Sequence, residues 1–80
     1  MRVPRDVGGS DLVKALSRYG YKVTRQTGSH IRLTTLENGE HHITIPAHQS
    51  LRIGTLSSII QEVAQHFSKE KSKLIADLWG

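Results

Sequence analysis

His30 follows Gly28 and Ser29 in a chain that has five histidines and no cysteine. Imidazole is suited to taking up and returning a proton near neutral pH, because its ordinary pKa is about 6.5. Gly28 lets backbone approach a phosphate closely, and Ser29 adds a hydroxyl donor. Arg32 lies two residues further on, with Lys22 and Gln26 in the segment before it; His48, Ser50 and Arg52 form a second polar group. Arg and Lys clamp phosphate oxygens, and a helix beginning after Arg52 would add free N–H groups and a favourable dipole. The residue types alone leave two readings open. One is a phosphate-handling site; the other is a plain hairpin turn followed by solvated strand residues.

A metal centre fits poorly. Without cysteine there is no thiolate zinc site and no iron–sulfur cluster. His41 and His42 are neighbours on an expected strand, so they point to opposite faces and cannot share an ion. No His-Glu-x-x-His or paired-carboxylate spacing occurs. A serine nucleophile served by a histidine base is equally poor, since Ser29 and His30 are adjacent and no carboxylate is placed to orient the ring. The expectation is therefore no metal and no cofactor.

The elements that must position these residues can be read from the periodicity. Ser10 and Asp11 suit a helix start, Leu12, Val13, Leu16 and Tyr19 follow at helical spacing, and Gly20 ends the run. Three strands are expected next: Tyr21 to Gln26, His30 to Thr35, and His41 to Ile45. Asn38-Gly39 gives a strong hairpin signal between the last two. A period of two places Tyr21, Val23, Ile31, Leu33, Ile43 and Ile45 on a buried face. Lys22, Thr24, Gln26, His30, Arg32, Thr34, His42 and Thr44 then share the other, which carries no carboxylate. Arg25 has core parity and must lie at a frayed end or reach round the edge. Ala47 to Ile53 reads as a loop. A helix follows through Leu56, Ile59, Ile60, Val63 and Phe67, with Thr55 as a candidate cap, and Ser68 is expected to cap a short last helix holding Leu74, Ile75 and Leu78. The expected fold is α+β, in the order α-β-β-β-α, with helices on one face of a three-stranded antiparallel sheet and a further short C-terminal helix.

Eighty residues suit one domain, here residues 1–80 with a core from about 4 to 67 and the C-terminal helix in 68–80. A chain this short builds a thin core, which favours a surface site acting on a large ligand over an enclosed small-molecule cavity. The formal net charge of +4 points to an anionic partner, either nucleic acid or an acidic protein surface. No apolar run is long enough to span a bilayer, and Met1-Arg2-Val3-Pro4-Arg5-Asp6 lacks the apolar stretch of a signal peptide, so a cytoplasmic protein with no membrane partner is expected.

Four stretches resemble the HicA (YcfA-like) family, the mRNA-cleaving toxins of type II toxin–antitoxin systems. They are Pro4-Arg5-Asp6-Val7-Gly8-Gly9 leading to Leu12-Val13-Lys14-Ala15-Leu16; Gly20-Tyr21 running on to Arg25-Gln26-Thr27-Gly28-Ser29-His30; Ile43-Thr44-Ile45-Pro46 with His48 behind; and Leu51-Arg52-Ile53-Gly54-Thr55-Leu56 with Ile59-Ile60. The resemblance implies a double-stranded-RNA-binding-domain-like fold. It also implies a metal-independent endoribonuclease in which His30 matches the catalytic histidine, and a HicB-type antitoxin, encoded next door, that covers the site. In that reading Lys22, Gln26, Gly28, Ser29, Arg32, His48 and Arg52 are the residues expected to meet RNA. The family often carries Lys or Arg where this chain has Ile53. The alternative is a non-catalytic RNA-binding module of the same fold; such modules usually cluster lysines at the start of the second helix, where this chain has only Arg52.

Overall fold

The computed structural model describes residues 4–79. The elements run α1 (Gly9–Leu16), a 3₁₀ turn (Ser17–Tyr19), β1 (Lys22–Thr27), β2 (His30–Thr35), β3 (His41–Pro46), α2 (Ile53–His66) and α3 (Lys71–Trp79). The reading of the first residues as lacking an apolar leader stretch falls partly on Met1 to Val3, which lie outside the described residues. No helix among the described residues is long and apolar enough to cross a membrane.

The sheet is antiparallel with β2 in the centre. Its two hairpin turns use backbone that few residues adopt: Gly28 at φ +53° joins β1 to β2, and Asn38 and Gly39 at φ +57° and +99° join β2 to β3. The core lies between the inner face of the sheet and the helices. Ile31, Leu33, Ile43 and Ile45 meet Leu12 and Leu16 of α1, Leu56, Ile59, Ile60 and Val63 of α2, and Leu74 and Leu78 of α3. This is the expected α-β-β-β-α fold with one further helix.

The helix ends differ from expectation. Helix α1 starts at Gly9 with Gly8 as its cap, and Asp11 reaches back to accept from the Gly8 N–H at 2.9 Å; Ser10 sits inside the first turn. Arg52 is the cap residue of α2 and makes no side-chain capping bond, so Thr55 lies one turn in. Ser68, expected to open α3, instead closes α2. It takes φ +53°, its N–H meets the Gln65 carbonyl at 3.2 Å, and the Lys69 N–H meets the Ala64 carbonyl at 2.9 Å. These two bonds form a Schellman motif, with serine where glycine is usual.

Three polar clasps fix the layers. Gly8 and Gly9 pass so close to the end of β3 and the segment after it that a methyl on Gly8 would run into the Gln49 carbonyl oxygen and one on Gly9 into that of Pro46. The Gly9 N–H meets the His48 carbonyl at 2.9 Å, and the Leu51 N–H meets the Val7 carbonyl at 2.8 Å. At the opposite end, His66 Nε2 lies 3.0 Å from the carbonyls of both Glu37 and Gly39, and Asn38 donates to the His66 carbonyl at 2.7 Å, which docks the β2–β3 hairpin on α2. Finally, Tyr19 donates to Asp77 at 2.5 Å, Lys69 donates to both at 2.9 Å, and Arg18 donates to the Asp77 carbonyl at 2.6 Å. This group ties α3 to the turn after α1.

Candidate nucleic-acid interface

Because the helices cover only one side, the other side of the sheet is open. His30, Arg32, His42 and Thr44 are all exposed there. His30 is the first residue of β2. It pairs with Thr27 on one side and Pro46 on the other, directly after the Gly28-Ser29 turn. The Ser29 carbonyl accepts from the Ala47 N–H at 2.7 Å, so this turn and the segment carrying His48 are held at one end of the sheet. His48 and Arg52 are exposed in and just after that segment. Nothing lies within 4 Å of where a Gly28 side chain would begin, so the turn faces open space.

The register of β1 departs from simple alternation. Val23 pairs with Leu33, but Arg25, not Thr24, stands opposite Arg32, and Gln26 pairs with Ile31. Thr24 is the extra residue of a β-bulge, and such a residue reverses the facing of everything after it. Arg25 therefore joins the open face, resolving its conflict with the core pattern. Gln26 moves to the helix side at the exposed end of β1, away from the face it was expected to share with His30. Lys22, before the bulge, remains opposite Thr34 on the open face. Val23 has the inner parity as expected but is 50 % exposed, because β1 is an edge strand that the helices do not reach.

Arg25 and Arg32 are thus direct cross-strand neighbours of the same charge. Among the described residues, neither has a carboxylate partner. Like charges directly opposite one another destabilise a sheet. The face is not free of acid, however. Glu40, in the hairpin turn, bonds His42 Nε2 at 2.7 Å. The expectation of a carboxylate-free face considered only strand residues and missed the reach of this turn side chain.

The adjacent histidines His41 and His42 do face opposite layers. On the helix side, His41 Nδ1 lies 2.7 Å from the Tyr21 hydroxyl and Nε2 lies 3.2 Å from Glu62. Its ring stacks on His66 at 4.4 Å. Burial, aided by the Glu62 charge, holds the Tyr21 hydroxyl well above its usual range. His41 is a fastener between sheet and α2, not part of the open face. No group of three or more metal-ligating side chains occurs among the described residues.

Sequence reasoning missed Arg25 and Glu40. The signal for Arg25 was present: a guanidinium at a core-parity position requires either a frayed end or an inserted residue. Nothing in the sequence distinguished Glu40 from an ordinary solvated turn residue.

Curated proteins and solved structures give no match to this chain. The family model of the HicA toxin of bacterial toxin–antitoxin systems matches residues 9–64, from the first turn of α1 almost to the end of α2. That span includes the whole sheet and both ends of the open face, and on that match the chain belongs to the HicA toxin family.

Proposed function

We propose that the protein is an endoribonuclease toxin that cuts mRNA on the open face of its sheet, with His30 as the catalytic residue. The observation that carries this reading is an exposed histidine at the end of a face where Arg25 and Arg32 stand opposite each other with no counter-ion among the described residues. A fold keeps a repulsive pair of this kind at some cost to stability, and a polyanion relieves it.

In this mechanism His30 takes the proton of the RNA 2′-OH. The 2′-oxygen attacks the adjacent phosphorus, the bond from phosphorus to the 5′-oxygen breaks, and the leaving oxygen takes a proton from solvent water. The products are a 2′,3′-cyclic phosphate and a 5′-hydroxyl. Arg32 and Arg25 stabilise the charge that builds on the phosphate in the transition state. Ser29, Gly28, His48 and Arg52 line the His30 end and meet the flanking backbone, and Lys22 meets it at the far end. A metal ion has no role in these steps.

The partner that holds such an activity in check is a HicB-type antitoxin with an acidic surface. It binds the same cationic face and excludes RNA from it. The alternative, a non-catalytic module of double-stranded-RNA-binding type, lacks support at the start of α2. Arg52 is followed there by Ile53, 86 % exposed, where such a module places lysines.

The deciding experiment induces the chain alone and follows growth and RNA integrity. Arrest with cleaved mRNA, abolished by His30→Ala in a folded protein, is the expected result. Equal arrest by folded His30→Ala protein overturns the assignment of His30. RNA binding without any cleavage favours the non-catalytic module.

A further inference from the structure

At the end of the open face away from His30, a chain of side-chain hydrogen bonds crosses all three strands. Glu40 bonds His42 Nε2 at 2.7 Å, His42 Nδ1 meets Thr34 Oγ1 at 2.7 Å, and Thr34 Oγ1 meets Thr24 Oγ1 at 2.9 Å. Together with Arg25, Arg32 and Leu36 these residues line one shallow concavity. The main-chain ladders already join the strands, so the side-chain relay is not needed to hold the sheet together. Its effect is to fix a carboxylate that is 64 % exposed in one place, with only Oε2 engaged among the described residues.

A fixed carboxylate on a face that binds a polyanion repels phosphate from its own position. What it attracts is a base edge rich in donors. Adenine and cytosine each offer one amino group and uracil one imino group. Guanine offers N1–H and N2–H side by side, a match for the two oxygens of a carboxylate. Leu36, 75 % exposed beside it, supplies apolar surface for the ring of a base. Arg25 and Arg32 lie between this point and His30, placed for the intervening phosphates.

We infer that Glu40, positioned by His42 and Thr34, forms a guanine-reading subsite; the inference rests on the ribonuclease reading and adds base selection to it. From His30 to Thr34 is four residues of β2, about 13 Å, or about two nucleotides of an extended strand tracking the face. The bond cut therefore lies at a fixed offset of about that length from the guanine.

The test uses short oligouridylates carrying one guanosine, or inosine or adenosine in its place, at each position in turn. His30→Ala protein reports binding by fluorescence anisotropy, and wild type reports the cut position. Expected are binding about tenfold or more tighter for guanosine than for the all-uridine strand, most of that gain absent with inosine, which lacks the N2 amino group, and a cut that moves in step with the guanosine. Glu40→Gln in the His30→Ala background abolishes the preference, and His42→Ala weakens it. Both leave binding of the all-uridine strand unchanged or tighter, because a negative charge or its support is removed. Equal affinity for all three bases, or a preference that survives Glu40→Gln, overturns the subsite. Guanosine preference without cleavage by wild type overturns the ribonuclease reading and leaves the subsite standing. Cleavage that depends on His30 but not on any base does the reverse.

Discussion

Arg25 faces Arg32 across the β1–β2 ladder only because Thr24 is inserted ahead of it as a bulge. Replacing either arginine by threonine removes a like-charge pair and adds a side chain that suits a strand. Such a change is expected to raise unfolding free energy by about 0.2–1 kcal/mol, measured by denaturant titration. The same variants are expected to bind RNA more weakly. The slope of log K against log salt falls by about 0.7 for each phosphate of a single strand that the variant no longer neutralises. An arginine variant that is less stable and keeps the wild-type slope shows that this pair is not held for RNA.

His30→Ala is expected to leave the fold intact, since the side chain is exposed and lies outside the core. Loss of a general base lowers the cleavage rate by about 10²–10⁴-fold. Single-turnover cleavage alongside a thermal melt separates the two effects.

Cleavage is expected to persist in EDTA and to leave a cyclic phosphate terminus. A strand with a single 2′-deoxy sugar at the scissile nucleotide resists the enzyme while binding nearly as well. Activity abolished in chelator and restored by one added metal overturns the mechanism given for His30.

Two glycines at helix starts should respond in opposite ways to the same change. Gly9→Ala drives a methyl into the Pro46 carbonyl, a backbone atom that cannot swing aside, and costs about 1–3 kcal/mol. Gly54→Ala, in α2 with nothing within 4 Å, gains up to about 1 kcal/mol from helix propensity. Chemical denaturation of both variants gives the comparison.

The α3 clasp makes stability depend on pH at both extremes. Hydrogen bonds from Tyr19 and then Lys69 hold the Asp77 carboxyl below its ordinary value. Its contribution is therefore present above that ordinary value and is lost as pH falls through the depressed one. Lys69 is raised by its bonds to Tyr19 and then Asp77, and Tyr19 is raised by burial and then by Asp77. Their contributions are present below the ordinary lysine and tyrosine values and are lost as pH rises through the raised ones. Asp77→Asn should flatten the acid limb of a stability–pH curve. An acid limb identical to wild type places the loss elsewhere.

Much of this arrangement was legible in the residues. The spacing of Leu56, Ile59, Ile60 and Val63 dictates a helix with one apolar side, and Asn38-Gly39 is one of few pairs that accept consecutive positive φ. The errors share a cause. Ser10, Thr55 and Ser68 are residues that cap helices well, but a cap falls where the backbone enters or leaves the helix, here at Gly8, Arg52 and Phe67, and side-chain type alone does not choose that point. The bulge at Thr24 is a long-range matter too. Arg25 at core parity shows that β1 departs from simple alternation, but only its pairing with β2 shows that the departure is an inserted residue and not a frayed end. Simple alternation puts Gln26 on the wrong face for that reason and gives Arg25 no place.

The strands are sequential neighbours joined by tight turns, whereas the helices covering them come from both sides of the sheet in sequence. During synthesis His30 and its arginines emerge, and their hairpins can begin to pair, before α2 and α3 exist. Until those helices arrive, Ile31, Leu33, Ile43 and Ile45 have only α1 to lie against. A ribosome-bound chain therefore presents the open face on a sheet with only α1 behind it, and the back of the sheet is covered as α2 and then α3 arrive.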